Sequence, residues 1–199
     1  NRKYVGLGGL IVVVSIVVTL FLGLYSIGVV EGYQPSQPIN YPHSVHAGEA
    51  GIDCRYCHNS VTESKSAGIP SVNVCMNCHK QIAGTGEQVA EIQKIYDAAG
   101  WDPEAGVYTG KTQPIVWNKV NNLPDHVYFN HSAHVTVGKI DCKNCHGPQN
   151  QYTVGHVPTA DEINAQEDVV GLVKLEKRPF TMGWCLECHN KKEVDMAGS

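Results

Sequence analysis

Phenylalanine occurs only three times in 199 residues, against twenty glycines and ten prolines. Hydrophobic residues make up 42% of the chain, but much of that share sits in one N-terminal run. The roughly 170 residues beyond it are therefore poor in material for a conventional apolar core. Basic residues are not in excess either. Fifteen Lys and Arg face nineteen Asp and Glu, for a net charge of −4, which becomes −6 once Arg2 and Lys3 are set aside. Nucleic-acid partners call for basic patches, so that class is excluded, and the small acidic excess mildly favours a basic or dipolar protein partner. No phosphate-cradling loop and no Ser-His-Asp arrangement is present, and no catalytic site of its own is expected. Charge is missing altogether from Tyr4 to Val30. Cysteine is missing everywhere except in one recurring pattern.

That pattern is Cys-x-x-Cys-His. It stands at Cys54-Arg55-Tyr56-Cys57-His58, Cys75-Met76-Asn77-Cys78-His79, Cys142-Lys143-Asn144-Cys145-His146 and Cys185-Leu186-Glu187-Cys188-His189, and it uses all eight cysteines. It is the attachment pattern of c-type haem: two thiols add to the vinyl groups and the adjacent imidazole ligates the iron from one side. The pairs Cys54/Cys57 and Cys75/Cys78 also fit the spacing of a four-cysteine zinc ribbon. A zinc ribbon, however, gives no reason for a His after every pair. By composition alone, four such histidines would fall there a few times in a million. Four covalent haems are expected, with Cys54, Cys57, Cys75, Cys78, Cys142, Cys145, Cys185 and Cys188 attaching them and His58, His79, His146 and His189 as proximal ligands. With so little apolar material, the macrocycles are expected to form the core.

Tyr4 to Val30 is twenty-seven residues without a charge, longer than the roughly 20 needed to cross a bilayer. Arg2 and Lys3 precede it, so its N-terminus is expected in the cytoplasm, with Tyr4, Tyr25 and Tyr33 as interfacial aromatics. A secretory signal has an apolar core of only about 7 to 15 residues and a small-residue cleavage site. A retained anchor over 1–31 is the expectation, and the domain after it lies outside the cytoplasm. Residues 32–40 read as a linker, broken by Gly32, Pro35 and Pro38.

The segment YPHSVHAGEAGIDCRYCH at 41–58 aligns without a gap on FNHSAHVTVGKIDCKNCH at 129–146, an internal repeat. Each copy is followed by a second motif lacking the His-Ser-x-His prelude. The domain at 41–199 therefore reads as a duplicated two-haem unit, repeat one at about 41–80 and repeat two at about 129–191. Between them, Glu87 to Ala99 has apolar or small residues at Val89, Ile92, Tyr96 and Ala99, a helical spacing bounded by Gly100 and Pro103. Pro114 to Val120 reads as extended, and the run Asp161 to Asp168 as a solvated surface. Mainly α and irregular structure is the expected fold class.

Six histidines remain for the distal positions. His43, His46, His131 and His134 stand at identical distances before a haem motif, and residues three apart share one helical face, so each pair can reach two haems. His126, in Leu-Pro-Asp-His-Val, is a further candidate; His156, in the insertion at 150–178, is a weaker one. Met76 and Met182 could also ligate, raising the potential of that haem, but with enough His available packing is the expected role of both. An iron with two protein ligands has no open site and exchanges electrons only.

The paired preludes resemble those of the class III, c3-like multihaem cytochromes. More closely, HAGEAGIDCRYCHNS, SKSAGIPSVNVCMNCHK, LPDHVYFNHSAHVTVGKIDCKNCHGP and TMGWCLECHN resemble the membrane-anchored pentahaem cytochrome subunit of bacterial alternative complex III, from about residue 35 to 192. The resemblance implies an electron-transfer subunit of a quinol-oxidising respiratory complex, single-pass in the bacterial inner membrane with its haem domain in the periplasm. It implies as partners an iron–sulfur subunit, polytopic quinol-binding subunits and a monohaem cytochrome, with a soluble cytochrome or a terminal oxidase as acceptor. Five haem motifs would be expected where four are present. The end of the sequence ten residues after His189 leads to the expectation of a fifth haem beyond Ser199, and five distal candidates, His43, His46, His126, His131 and His134, would match five haems and leave His156 spare. The rival readings are a stand-alone anchored quinol dehydrogenase and a multihaem terminal reductase, which needs a five-coordinate haem.

Overall fold

The structure, a computed structural model, describes residues 2–26 and 30–194, with side chains from 6–24 and 30–194. The chain divides into two compact units, Asn1–Val30 and Glu31–Ser199. The first is helix α1, Arg2–Ser26. Leu, Ile and Val fill it all round, so no polar face exists to set against water. Its stretch Gly6–Leu24 is the one described helix long and apolar enough to cross a membrane. At 1.5 Å per residue those 19 residues span about 28 Å, close to the hydrocarbon thickness of a bilayer. The side chains of Tyr4 and Tyr25 lie outside the described ones; Tyr33 is half exposed.

The second unit is mainly helical and irregular. In chain order it contains a π-helical turn at Ser44–Glu49, α2 at Cys54–Cys57, α3 at Val72–His79, α4 at Gln88–Ala99, a two-residue hairpin of β1 (Trp101–Asp102) and β2 (Val107–Tyr108), a second π-helical turn at Ala133–Val137, α5 at Lys143–His146, a single 3-10 turn, α6 at Ala160–Asn164 and α7 at Met182–Lys191. β1 and β2 are antiparallel, Trp101 opposite Tyr108. Pro114 to Val120 forms no strand with a neighbour.

Two small apolar clusters serve as cores. In the first, Ile92, Ile95, Tyr96 and Ala99 of α4 pack with Ile39 and Met76. Helix α4 follows the spacing read from the sequence, except that Val89 faces solvent. It ends where Gly100 takes the left-handed conformation (φ 65°), which only glycine adopts without strain. The helix also braces the second haem motif, because the Tyr96 hydroxyl donates to the His79 carbonyl at 2.6 Å. In the second cluster, Ile163, Leu175 and Trp184 pack with Phe180 and with the thiol-bearing residues Cys145, Cys185 and Cys188.

The run Asp161 to Asp168 differs from the solvated surface expected of it. Ile163 of α6 is 1% exposed and Gln166 just after it is 9% exposed, so the run anchors in the core through these two residues while Asp161, Ala165, Glu167 and Asp168 stay exposed. Helix α6 begins with a capping box: the Thr159 hydroxyl accepts from the Glu162 amide, and the Glu162 carboxylate accepts from the Thr159 amide. The Thr-x-x-Glu spacing carried that signal in the sequence, and the charge of the run obscured it.

Residues 31–40 have almost no regular structure, yet they are fastened along their length. Gly32 N donates to Val157 O at 2.8 Å and Val157 N to Tyr33 O at 3.0 Å. Gln37 exchanges two hydrogen bonds with the Asn118 backbone, at 2.8 and 2.9 Å.

Each repeat docks on the other. Ser44 N of the first prelude donates to Tyr152 O, in the loop after the third motif, at 2.9 Å. Ser132 N of the second prelude donates to Ser64 O, in the loop after the first motif, at 3.2 Å. Donors and acceptors are both 88 positions apart, the same offset that separates His46 from His134. This reciprocal pair of contacts is what an internal two-fold would produce, and each prelude is held by the opposite repeat.

Candidate haem-binding site

The proximal histidines follow their cysteines on short helices. At the first motif the Asp53 carboxylate accepts from the Arg55 amide at 2.8 Å and caps α2. A guanidinium–carboxylate pair with Arg55 reinforces that cap and holds Asp53 low, at about 2. At the fourth, the Thr181 hydroxyl caps α7 by accepting from Trp184 N. A cap fixes where the helix starts, and with it the direction of two thiols and an imidazole spaced three and four residues apart.

His46 and His134 sit on the two π-helical turns, with His43 and His131 just before them, and the two turns share their backbone pattern. Ala50 N donates to Val45 O and Gly138 N to Ala133 O, both at 2.9 Å. These five-residue steps widen the turn, a form common at functional sites. His46 Nδ1 contacts the Pro42 carbonyl at 2.9 Å, and His134 Nδ1 contacts the Asn130 carbonyl at 2.8 Å. The aromatic residue that opens each repeat has a task that sequence reading missed. Tyr41 stacks on His46 with ring centroids 4.3 Å apart, and Phe129 stacks on His134 at 4.4 Å.

Each prelude histidine is brought to a motif histidine. His46 faces His79 with ring centroids 6.0 Å apart, His131 faces His146 at 6.3 Å, and His134 faces His189 at 6.1 Å. His43 lies near enough to His58 for their charges to interact. A metal–imidazole bond of about 2 Å, with about 1 Å from nitrogen to ring centre, puts two trans imidazoles about 6 Å apart by their centroids. The observed gaps match that spacing, so each pair could hold one haem iron between its two rings. Further carbonyls orient the rings: His58 Nδ1 contacts Gly68 O at 2.7 Å, His79 Nδ1 contacts Ile82 O at 2.7 Å, and His131 Nδ1 contacts Lys65 O at 2.9 Å. A carbonyl at Nδ1 makes that nitrogen the donor and leaves the Nε2 lone pair for a metal. Burial, then the neighbouring rings His131 and His58, holds His146 down at about 4. Burial, then His58, lowers His43 to about 4, and burial followed by His134 lowers His189. A neutral imidazole is the form that ligates.

The remaining candidates are placed differently. His126 is exposed in an irregular segment. His156 is half-buried, with Nε2 at 3.3 Å from both Glu162 oxygens and its ring 4.2 Å from that of Tyr152, so Nε2 is the N–H that donates to the carboxylate and offers no lone pair to a metal. Met76 is buried in the first cluster, whereas Met182 is half exposed and does not fill the packing role expected of it. Phe180, which nothing in the sequence singled out, takes φ 59° and places its ring 5.9 Å from His146 and 5.6 Å from Trp184. Among the described residues, no group of three or more His, Cys, Asp or Glu gathers as a metal site. The four-thiol arrangement of a zinc ribbon is not formed. A haem needs only one imidazole on each face, and pairs are what the structure presents.

Paired imidazoles on duplicated Cys-x-x-Cys-His units define a multihaem cytochrome c. A profile of the class III cytochrome C family matches residues 28–101 and 109–198, and the chain belongs to that family, whose members carry covalently bound haem c. The chain is also similar to the protein named menaquinone reductase, multiheme cytochrome c subunit, of Nitratidesulfovibrio vulgaris (strain Hildenborough). The two are 28% identical over 190 residues, covering 94% of this chain and 83% of that protein.

Proposed function

We propose that this chain is the electron-carrying, membrane-anchored subunit of a quinol-oxidising respiratory complex of the alternative complex III type. The observation that carries this reading is the set of imidazole pairs 6.0 to 6.3 Å apart. With both axial positions taken by the protein, bound haem c supplies one-electron transfer and no bond-making site. Cys54, Cys57, Cys75, Cys78, Cys142, Cys145, Cys185 and Cys188 hold the macrocycles. His58, His79, His146 and His189 ligate from one side, and His43, His46, His131 and His134 from the other. His126, with no ring facing it among the described residues, is left to serve a fifth haem supplied from outside this sequence. The domain sits on the periplasmic face of the bacterial inner membrane. An iron–sulfur subunit and polytopic quinol-binding subunits deliver electrons, and a cytochrome or terminal oxidase receives them.

The similarity to a menaquinone reductase subunit favours a second reading, in which the same wire delivers electrons to the quinone. Incubating the purified complex with quinol and ferric cytochrome, then with quinone and ferrous cytochrome, separates the two by which pair reacts.

The first test is covalent haem per polypeptide in the full-length gene product, by pyridine haemochrome against intact mass. Five is the expected result. Four would remove the role given to His126, and none would return the cysteines to zinc. Cleaving the haem-loaded protein at a protease site introduced in the 31–40 segment is expected to release a red domain into the soluble fraction. Carbonate-resistant attachment of the cleaved domain would place the anchor elsewhere.

A further inference from the structure

The four attachment sites do not follow one another in space as they do along the chain. Within the first motif the two thiols have different neighbours in other motifs. Cys54 lies near enough to Cys142 of the third motif for the two thiols to interact. Cys57 lies within charge range of Cys75 and Cys78 of the second. The third motif repeats this division. Cys142 faces Cys54, whereas Cys145 packs in one apolar cluster with Cys185 and Cys188 of the fourth.

Other contacts agree. Asn77 Nδ2, inside the second motif, donates to the hydroxyl of Tyr56, inside the first, at 3.0 Å. Between repeats, His131 Nδ1 reaches Lys65 O at 2.9 Å and Thr136 Oγ1 donates to Thr62 O at 2.9 Å. Both acceptors lie in the loop just after His58. The prelude serving the third site therefore rests on the segment leaving the first. His58 is also among the rings whose charge acts on His146. An internal two-fold that sets the first and third sites beside each other puts the second and fourth on opposite outer sides.

We infer that the four sites form a line in the order second, first, third, fourth, with the motifs at Cys75 and Cys185 at its ends. This rests on the electron-carrier reading and adds the route: the outer sites on α3 and α7 exchange electrons with partners, and the first and third form the central link across the two repeats. Both preludes fit this plan, because His43 and His46 bridge a central site and an outer one, as do His131 and His134.

The closing experiment is a cryo-electron microscopy map of the full-length, haem-loaded protein in its complex, with each macrocycle identified by the cysteines it is bonded to. The expected result is that the macrocycle on Cys54 and Cys57 has two near neighbours, those on Cys75/Cys78 and Cys142/Cys145. Nearest neighbours in chain order, or a closed ring of four, would overturn the line. Missing macrocycles, or irons with an open axial position, would overturn the electron-carrier reading instead. In solution, methionine as distal ligand shifts that site's potential upward, so it is reduced first and loses its spin. In His131→Met this is expected to narrow the electron paramagnetic resonance lines of two other haems. In His134→Met it is expected to narrow those of one. Equal effects of the two variants would overturn the line, and the map decides if either variant does not assemble.

Discussion

Replacing His134 by alanine is expected to turn one haem of the loaded protein from low spin to high spin, or to lose that haem altogether. His46→Ala is expected to do the same to a different one. Against the five haems expected, either change is about a fifth of the haem signal, because an iron with an empty axial position changes its spin state. Local geometry leaves no substitute ligand. His134 is held by the ring of Phe129 and by the Asn130 carbonyl, and its neighbour His131 faces His146. His156→Ala serves as the contrast. Its ring nitrogen is engaged with Glu162, so the spectrum should stay as it was. Optical and paramagnetic resonance spectra of the three variants check this, and unchanged low-spin spectra in His46→Ala and His134→Ala would sink the distal assignment.

Gly48→Ala is expected to be the most destabilising small substitution in the preludes. A methyl group on Gly48 would meet the backbone oxygen of Asn150, in the loop of the opposite repeat. A carbonyl fixed in a packed loop cannot swing away as a long side chain can. Such overpacking lowers stability by about 1–3 kcal/mol, a loss of several degrees in Tm. The equivalent position of the second repeat is Thr136, where a side chain is accommodated and its hydroxyl donates to Thr62 O at 2.9 Å. Thr136→Ala therefore removes one hydrogen bond, worth about 1 kcal/mol. Thermal unfolding of both variants should rank Gly48→Ala below Thr136→Ala. The reverse order would mean that the first prelude does not lie against the 150 loop.

Much of this site was open to reading because its chemistry is local. Cys54 and Cys57 must be three residues apart to reach two vinyl groups, and His58 must follow to reach the iron, so the motif carries its own explanation. The same holds for the helix ending at Gly100. The preludes were half legible. Their identical placement marked His43, His46, His131 and His134, but a spacing of three cannot say which motif each ring meets, and the π-helical turn is invisible to a pattern of period 3.6. Tyr41 and Phe129 were seen as matching residues, yet stacking on the second histidine depends on that turn. The helix α6 was missed because four acidic residues surround Ile163, and only the Thr159–Glu162 spacing argued against solvent. Phe180 gave no signal at all, since a backbone in the left-handed region is imposed by what packs around it.

The exchange of docking loops between repeats bears on how the molecule comes into being. The strand carrying His43 and His46 is translated early, but the carbonyl that receives Ser44 belongs to Tyr152, more than a hundred residues later. As the chain is made from its N-terminus, Cys54, Cys57, Cys75 and Cys78 are all present before the first prelude has its resting place. The first prelude therefore reaches its docked position only once the loop around Tyr152 has been made, so the trailing half completes the leading one.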